Sequence, residues 1–307
     1  MSCYESTATA DVKTDTAMSE IFTEFKWSKT DDPFCSPRKF VCSSCHKVHQ
    51  SFVNDSNAGM DTLGQITLYA AAQLGAQFRT HIYSILIVNN TARILRWDRS
   101  GTIVTEAIKY NESRYLVDFF RRYSVALAAL RGKDEMVSIP ESHKIRGARD
   151  TLNLELTIPL LKVSVSGLDG SSRYFIVPTP ETTPYTPPGR ATRGFRAYDP
   201  SCKDAVFLKD TWRIDMPEIT PEGEVYAKLN AASVWNVPQC LVSGDISTPI
   251  YHATRTVSYA QMLWACKGCP CHPNGPWVPH WHYRLVLDVV GDPLMNYNSS
   301  REMVSAV

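Results

Sequence analysis

Four groups of residues in this sequence have types and spacing that suit chemistry. The first begins with GRATRG (189–194), a Gly-x-x-x-x-Gly frame with Ala191 in its middle, and continues through Lys209 in AVFLKD to Glu222 in EGEVYAKL. Glycines at such a turn let the backbone approach phosphate oxygens and aim N–H groups at them. A glycine turn between two strands is also an ordinary hairpin. Lys209 sits in a strand-like run from which it reaches across the hairpin. Glu222 opens a helical pattern whose apolar positions are Val225, Tyr226 and Leu229, so it projects where it can pair with Lys209. The second group is Glu24-Phe25-Lys26, a carboxylate and an amine on one face of a strand. That pairing suits metal-assisted phosphodiester cleavage when a second acid is near, and the candidates are Asp11 and Asp15. The last two groups mix thiols and imidazoles: Cys35, Cys42, Cys45, His46 and His49, then Cys266, Cys269, Cys271, His272, His280 and His282. Each contains Cys-x-x-Cys, the spacing with which two thiolates grip one tetrahedral zinc ion. Cysteine is equally a small buried apolar residue, and His280-x-His282 is equally two strand residues facing one way.

The elements that must position these groups fall in two halves. IFTEFKW (21–27) alternates as a half-buried strand does, while 28–60 is polar and aperiodic and is read as a loop or insertion. GQITLYAAAQLGAQF, ending at Phe78, predicts a helix that carries Gln65 and Gln73. IYSILIVNN and ARILRWD predict a hairpin turning at Asn89-Asn90, and 112–131 has helical spacing. The charged, irregular 133–150 stretch marks a boundary. Beyond it, 152–167, 173–180, 194–199, 204–211 and 283–290 read as strands, with a helix from near Pro221. PTPETTPYTPPG (178–189), with five prolines, is a stiff connector into the glycine turn.

Composition excludes several classes. The chain has 307 residues, 44% hydrophobic and 21% charged, with a formal net charge of +1, so no bulk field draws it to nucleic acid or to a membrane. The first twenty residues lack a basic start followed by an apolar block, and no apolar run approaches a membrane span. Nine cysteines without a secretory signal read as reduced thiols, and an intracellular protein is the expectation.

Two resemblances add to this. The order Glu-x-Lys strand, glutamine-bearing helix, hairpin resembles the restriction-endonuclease-like fold, in which the carboxylate binds metal and the lysine polarises the water. More of the chain resembles the fungal-type protein kinase family, through GQITLYAAAQLGAQFRTHIYSILIVNNTARILRWDRSG, GRATRGFRAYD, VFLKDTWR, EGEVYAKL, NVPQCLVSGD and HYRLVLDVVG. Together the two resemblances imply an α+β chain: a nuclease-like α/β domain at 1–135, a linker at 136–150, and at 151–307 a kinase-like N-lobe of one antiparallel sheet and one helix. The kinase resemblance implies ATP with Mg²⁺ as cofactors, Lys209 and Glu222 as the nucleotide lysine and its helix partner, Gly189 and Gly194 as the phosphate turn, and Val289 and Val290 as the hinge that meets adenine. The aspartates that hold Mg²⁺ and accept the substrate proton belong to a C-terminal lobe that family members carry and that does not occur before Val307. The expectation is therefore an incomplete kinase site in this chain, without catalysis, and a hinge face open to self-association. A metal-dependent nuclease and a zinc-stapled interaction module are the rival readings.

Overall fold

The computed structural model describes residues 2–4, 15–167, 169–178, 186–246, 252–266, 277–291 and 299–301. The first half begins with β1 (Ser2–Tyr4), β2 (Ser19–Lys26), β3 (Phe34–Val41), β4 (Val48–Val53) and α1 (Asn57–Ala76). It continues through β5 (Ile82–Val88), β6 (Thr91–Asp98), β7 (Gly101–Val104) and α2 (Tyr115–Val125). Five of these strands form one sheet in the order β1-β2-β5-β6-β7, with β2 and β5 parallel and the other pairs antiparallel. A parallel pair needs a long crossover, and α1 lies within it. The Ser56 hydroxyl caps α1 by accepting from the Gly59 amide. Ile66, Ala70 and Leu74 recur along one stripe of the helix and bury against Phe22, Leu86, Leu95 and Trp97. The opposite sheet face, with Ile21, Ile85 and Ala92, is covered by Leu116, Phe119, Phe120 and Tyr123 of α2. The sheet is thus sandwiched between two helices.

The segment expected to be a loop at 28–60 is structured. β3 and β4 pair as a separate hairpin, and α1 begins inside the segment at Asn57. Polar alternation without buried faces hid it, because nearly all of β3 is solvent-exposed. The 112–131 helix is shorter than expected: α2 stops at Val125 and a 3-10 turn at Ala128–Arg131 follows. Gly132 ends that turn with φ of 93°, and a Cβ there would lie 1.9 Å from the His81 carbonyl oxygen.

The second half contains β8 (Val137–Ser138), α3 (Ser142–Leu152), β9 (Leu160–Ser166), β10 (Ser172–Pro178), β11 (Arg193–Asp199) and β12 (Asp204–Ile214). Then come α4 (Glu222–Ala231), β13 (Cys240–Asp245), α5 (Thr256–Ala260) and β14 (His280–Leu287). Its seven strands form an antiparallel sheet in the order β13-β14-β12-β11-β10-β9-β8. The stretch expected to be a linker at 136–150 belongs to this unit: β8 extends the sheet, and Ala148 and Leu152 of α3 bury against Leu160, Ile176 and Tyr198. Among the described residues, α3 and α4 pack on this sheet where one helix was expected, and the short α5 lies against β7 of the first sheet.

Strand period two sorts β12 cleanly. Val206, Leu208, Asp210 and Trp212 face the first half, where Phe78 stacks on Phe195 at 5.9 Å. Phe207 and Lys209 face α4 together with Leu285 and Tyr283 of β14. The chain is therefore mixed α+β, with the glycine turn and Lys209 on the second sheet. None of the helices among the described residues is long and apolar enough to cross a membrane.

Candidate functional site

Lys209 and Glu222 meet. The lysine Nζ donates to both carboxylate oxygens, at 2.8 and 2.7 Å, and both side chains remain partly open to solvent. This geometry depends on the residue after the glutamate. The Gly223 amide donates to the Tyr283 hydroxyl at 2.9 Å, and a Cβ on Gly223 would lie 1.9 Å from Ser243 Oγ. Only glycine lets the first turn of α4 lie against β13 and β14, and that close approach sets Glu222 beside Lys209. Burial raises the pKa of the Tyr283 hydroxyl, which keeps its proton at neutral pH.

The glycine turn is anchored from two sides. The Gly189 amide donates to the Arg99 carbonyl at 2.8 Å, and the Arg190 carbonyl accepts from the Trp212 amide at 2.8 Å and from the Thr211 hydroxyl at 3.1 Å. The Gly189 N–H expected to face phosphate is therefore used inside the protein. Gly194 lies within β11, paired opposite Lys209. Arg99 is fully buried and donates to the carbonyls of Pro187 and Leu74. Burial lowers its pKa to about 9, helped by the charge of Arg193. Val289 and Val290 follow the end of β14 in irregular backbone, with Val289 exposed.

Behind Lys209, on the other sheet face, lies a charge network that sequence reasoning missed. Asp210 Oδ1 accepts from Arg284 Nε and His282 Nε2, each at 2.7 Å, and Oδ2 accepts from Arg193 Nη2 at 2.7 Å. Arg284 also pairs with Asp134. His252 Nδ1 lies 3.1 Å from His282 Nδ1, and the His282 ring stacks on Trp212 at 4.6 Å. Burial alone would raise the Asp210 carboxyl, but His282, Arg284 and Arg193 together hold it well below the carboxylate range. Burial likewise pushes Asp134 up, and Arg284 with the two histidines outweighs it. Burial lowers His252 to about 4.

Asp134, His252 and His282 are also the grouping of metal-capable side chains found among the described residues. The Arg284 guanidinium already neutralises Asp134 there, so a divalent ion would add uncompensated charge to a buried site. Among the described residues, the first cysteine–histidine group assembles no cluster of three ligands. Cys45 Sγ meets His49 Nε2 at 3.1 Å, but Cys35 hydrogen-bonds the Val53 carbonyl, and Cys42 and His46 form no ligand group with the pair. Cys269, Cys271 and His272 lie outside the described residues. His280 Nδ1 faces the Val278 carbonyl at 2.9 Å, and His282 is held in the network. Cys266 and Cys35 both line a mostly apolar cavity of about 490 Å³ with Phe52, Tyr259, Trp264 and Trp277. Burial raises the Cys266 thiol.

The Glu24–Lys26 pair closes on itself at 3.0 Å, and Lys26 also donates to Gln65 Oε1 at 2.7 Å. Gln73 instead donates to the carbonyls of Ser19 and Glu20, fastening α1 to β2. Asp15 takes the Ala17 amide at a turn ahead of β2, and Asp11 lies outside the described residues. Among the described residues, no group of three metal-capable side chains includes Glu24.

A lysine on an inner antiparallel strand, clasped by a glutamate from the helix that follows it, is a pairing that protein kinases also have. The sequence agrees: the family model described as fungal protein kinase matches residues 43–307, and the chain belongs to that family. No curated protein and no solved structure matches the chain.

Proposed function

We propose that the second half, from β8 onward, forms a kinase-like N-lobe that binds ATP, with Lys209 holding phosphate oxygens and Glu222 keeping the lysine extended toward them. The observation that carries this reading is the two-pronged Lys209–Glu222 bond, 2.7 and 2.8 Å, on the open face of the second sheet. In kinases this pair must be in place before phosphate is gripped. Val289 and Val290, directly after β14, would offer backbone groups to the adenine edge. Mg²⁺ would accompany the nucleotide. The carboxylate that meets Lys209 is occupied by it, so the aspartates that phosphoryl transfer requires for metal and proton are not supplied at this pair. The role assigned to these residues is nucleotide binding, and no transfer step is derived from them. The helix–sheet–helix unit before residue 135 we read as a nuclease-like scaffold that supports the lobe.

Isothermal titration of the purified chain with Mg·ATP tests this. Lys209→Ala removes a charge-assisted contact and should weaken binding by about 10- to 100-fold. Identical titrations for wild type and variant would retire the proposal.

A further inference from the structure

The turn before β11 places a second cation beside Glu222. Arg190 Nη2 lies 3.8 Å from Glu222 Oε2, the oxygen to which Lys209 donates at 2.7 Å. The arginine side chain is 56% exposed and the lysine 21%. Two cations thus share one carboxylate, and the opening carries net positive charge. Arg190 is not there by chance of a loose loop. Its neighbours Gly189 and Ala191 both have positive φ, 105° and 43°, and Ala191 is a residue for which that backbone is unfavourable. The turn is held in this shape by the Arg190 carbonyl, which accepts from the Trp212 amide and the Thr211 hydroxyl, and by the Gly189 amide, which donates to Arg99. Thr211 is further tied to Thr192 at 2.8 Å. The backbone is fixed while the guanidinium is left outside, joined to Glu222 by one long ion pair.

We propose that Arg190 is a second polyphosphate-binding residue of this site. On ligand binding the guanidinium leaves Glu222 and takes the outermost phosphate of a nucleoside triphosphate with its planar fork, while Lys209 stays on Glu222 and faces the inner phosphates. A guanidinium matches two phosphate oxygens at once, whereas an ammonium acts as a point charge. The more exposed cation meets the outer phosphate, so the site selects triphosphate over diphosphate. This inference rests on the nucleotide-binding reading above for its adenosine part only, since the phosphate part needs only Arg190, Lys209 and Glu222.

The test is isothermal titration of wild type, Arg190→Ala, Arg190→Lys and Lys209→Ala with ATP, ADP and inorganic triphosphate. Arg190→Ala should weaken ATP and inorganic triphosphate by about tenfold or more and ADP by less than about threefold, with Arg190→Lys recovering only part. Equal losses for ATP and ADP, or no loss, would overturn the role of Arg190 while leaving Lys209-dependent ATP binding in place. Arg190-dependent binding of inorganic triphosphate with no gain from adenosine would support Arg190 and overturn the nucleotide reading. Wild type that binds none of the three overturns both. The exposed side chain makes Arg190→Ala a fold-neutral change, checked by an unaltered melting curve.

Discussion

Replacing Gly223 by alanine should separate the packing that builds the site from the charges that make it work. An added Cβ would sit 1.9 Å from Ser243 Oγ, 2.5 Å from Ser243 Cβ and 2.6 Å from the Tyr283 hydroxyl. Ordinary contact needs about 3.5 Å, so the start of α4 must retreat by about 1.5 Å. That retreat stretches the 2.9 Å bond from the Gly223 amide to Tyr283 and draws Glu222 away from Lys209. Overpacking of this kind costs about 1–3 kcal/mol and the lost hydrogen bond about 1 kcal/mol. Alanine's helix preference over glycine returns about 1 kcal/mol. The net is a loss of roughly 2 kcal/mol, a fall in melting temperature of about 4–8 °C. Gly64 is the control: it lies on the exposed side of α1, and a Cβ added there would meet nothing within 4 Å, so Gly64→Ala should raise the melting temperature slightly. Differential scanning calorimetry of both variants reads the contrast, and Mg·ATP titration of Gly223→Ala should show weakened binding as Glu222 withdraws. Adding Ser243→Gly removes two of the three obstructing atoms and should recover part of the loss. If Gly223→Ala melts at or above wild type, as Gly64→Ala should, the close approach of α4 does not set the Lys209–Glu222 pair and the reasoning fails.

Three further outcomes are expected. His252 is held near a pKa of about 4 against about 6.5 when unfolded, so the unfolded chain binds the extra proton between those values. Its contribution is present above the unfolded pKa and falls as the solution is acidified, by about 2 kcal/mol between pH 7 and pH 5. Urea unfolding across that range should show the drop and His252→Asn should flatten it; parallel curves would refute the assignment. Arg284→Met leaves Asp134 and Asp210 facing each other without their shared cation and should cost about 3–5 kcal/mol, with Asp134→Leu in the same chain recovering part. Additive losses in that double-mutant cycle would count against coupling. Gly132→Ala forces a methyl to within 1.9 Å of the His81 carbonyl in left-handed backbone, and should lower the yield of folded protein well below that of Gly64→Ala. Equal yields would show that the 78–81 and 130–134 segments yield easily.

Local pattern determined much of this molecule. The Ile66, Ala70, Leu74 stripe fixes α1, and Asn89, with φ of 53°, makes the turn between β5 and β6 where Asn-Asn predicts a hairpin. The helical spacing after Pro221 and the strand around Lys209 were also legible, and so was the proximity of Lys209 to Glu222, because 13 residues of strand, turn and helix bring them together. The β3–β4 hairpin was not legible, since its exposed strands bury no alternating face. Nor was the fate of 133–150, where charge and irregular spacing imitate a linker. The Asp134 side chain is fully buried because Arg284 meets it from 150 residues along the chain, and Asp210 is held by Arg193, His282 and Arg284 from three strand positions at once. The same holds for His282, a zinc candidate by spacing and a member of that network in the fold. A local pattern records which face of an element avoids water. It does not record which distant charge neutralises a buried carboxylate, because that partner is chosen only when the sheets come together and desolvation makes pairing obligatory.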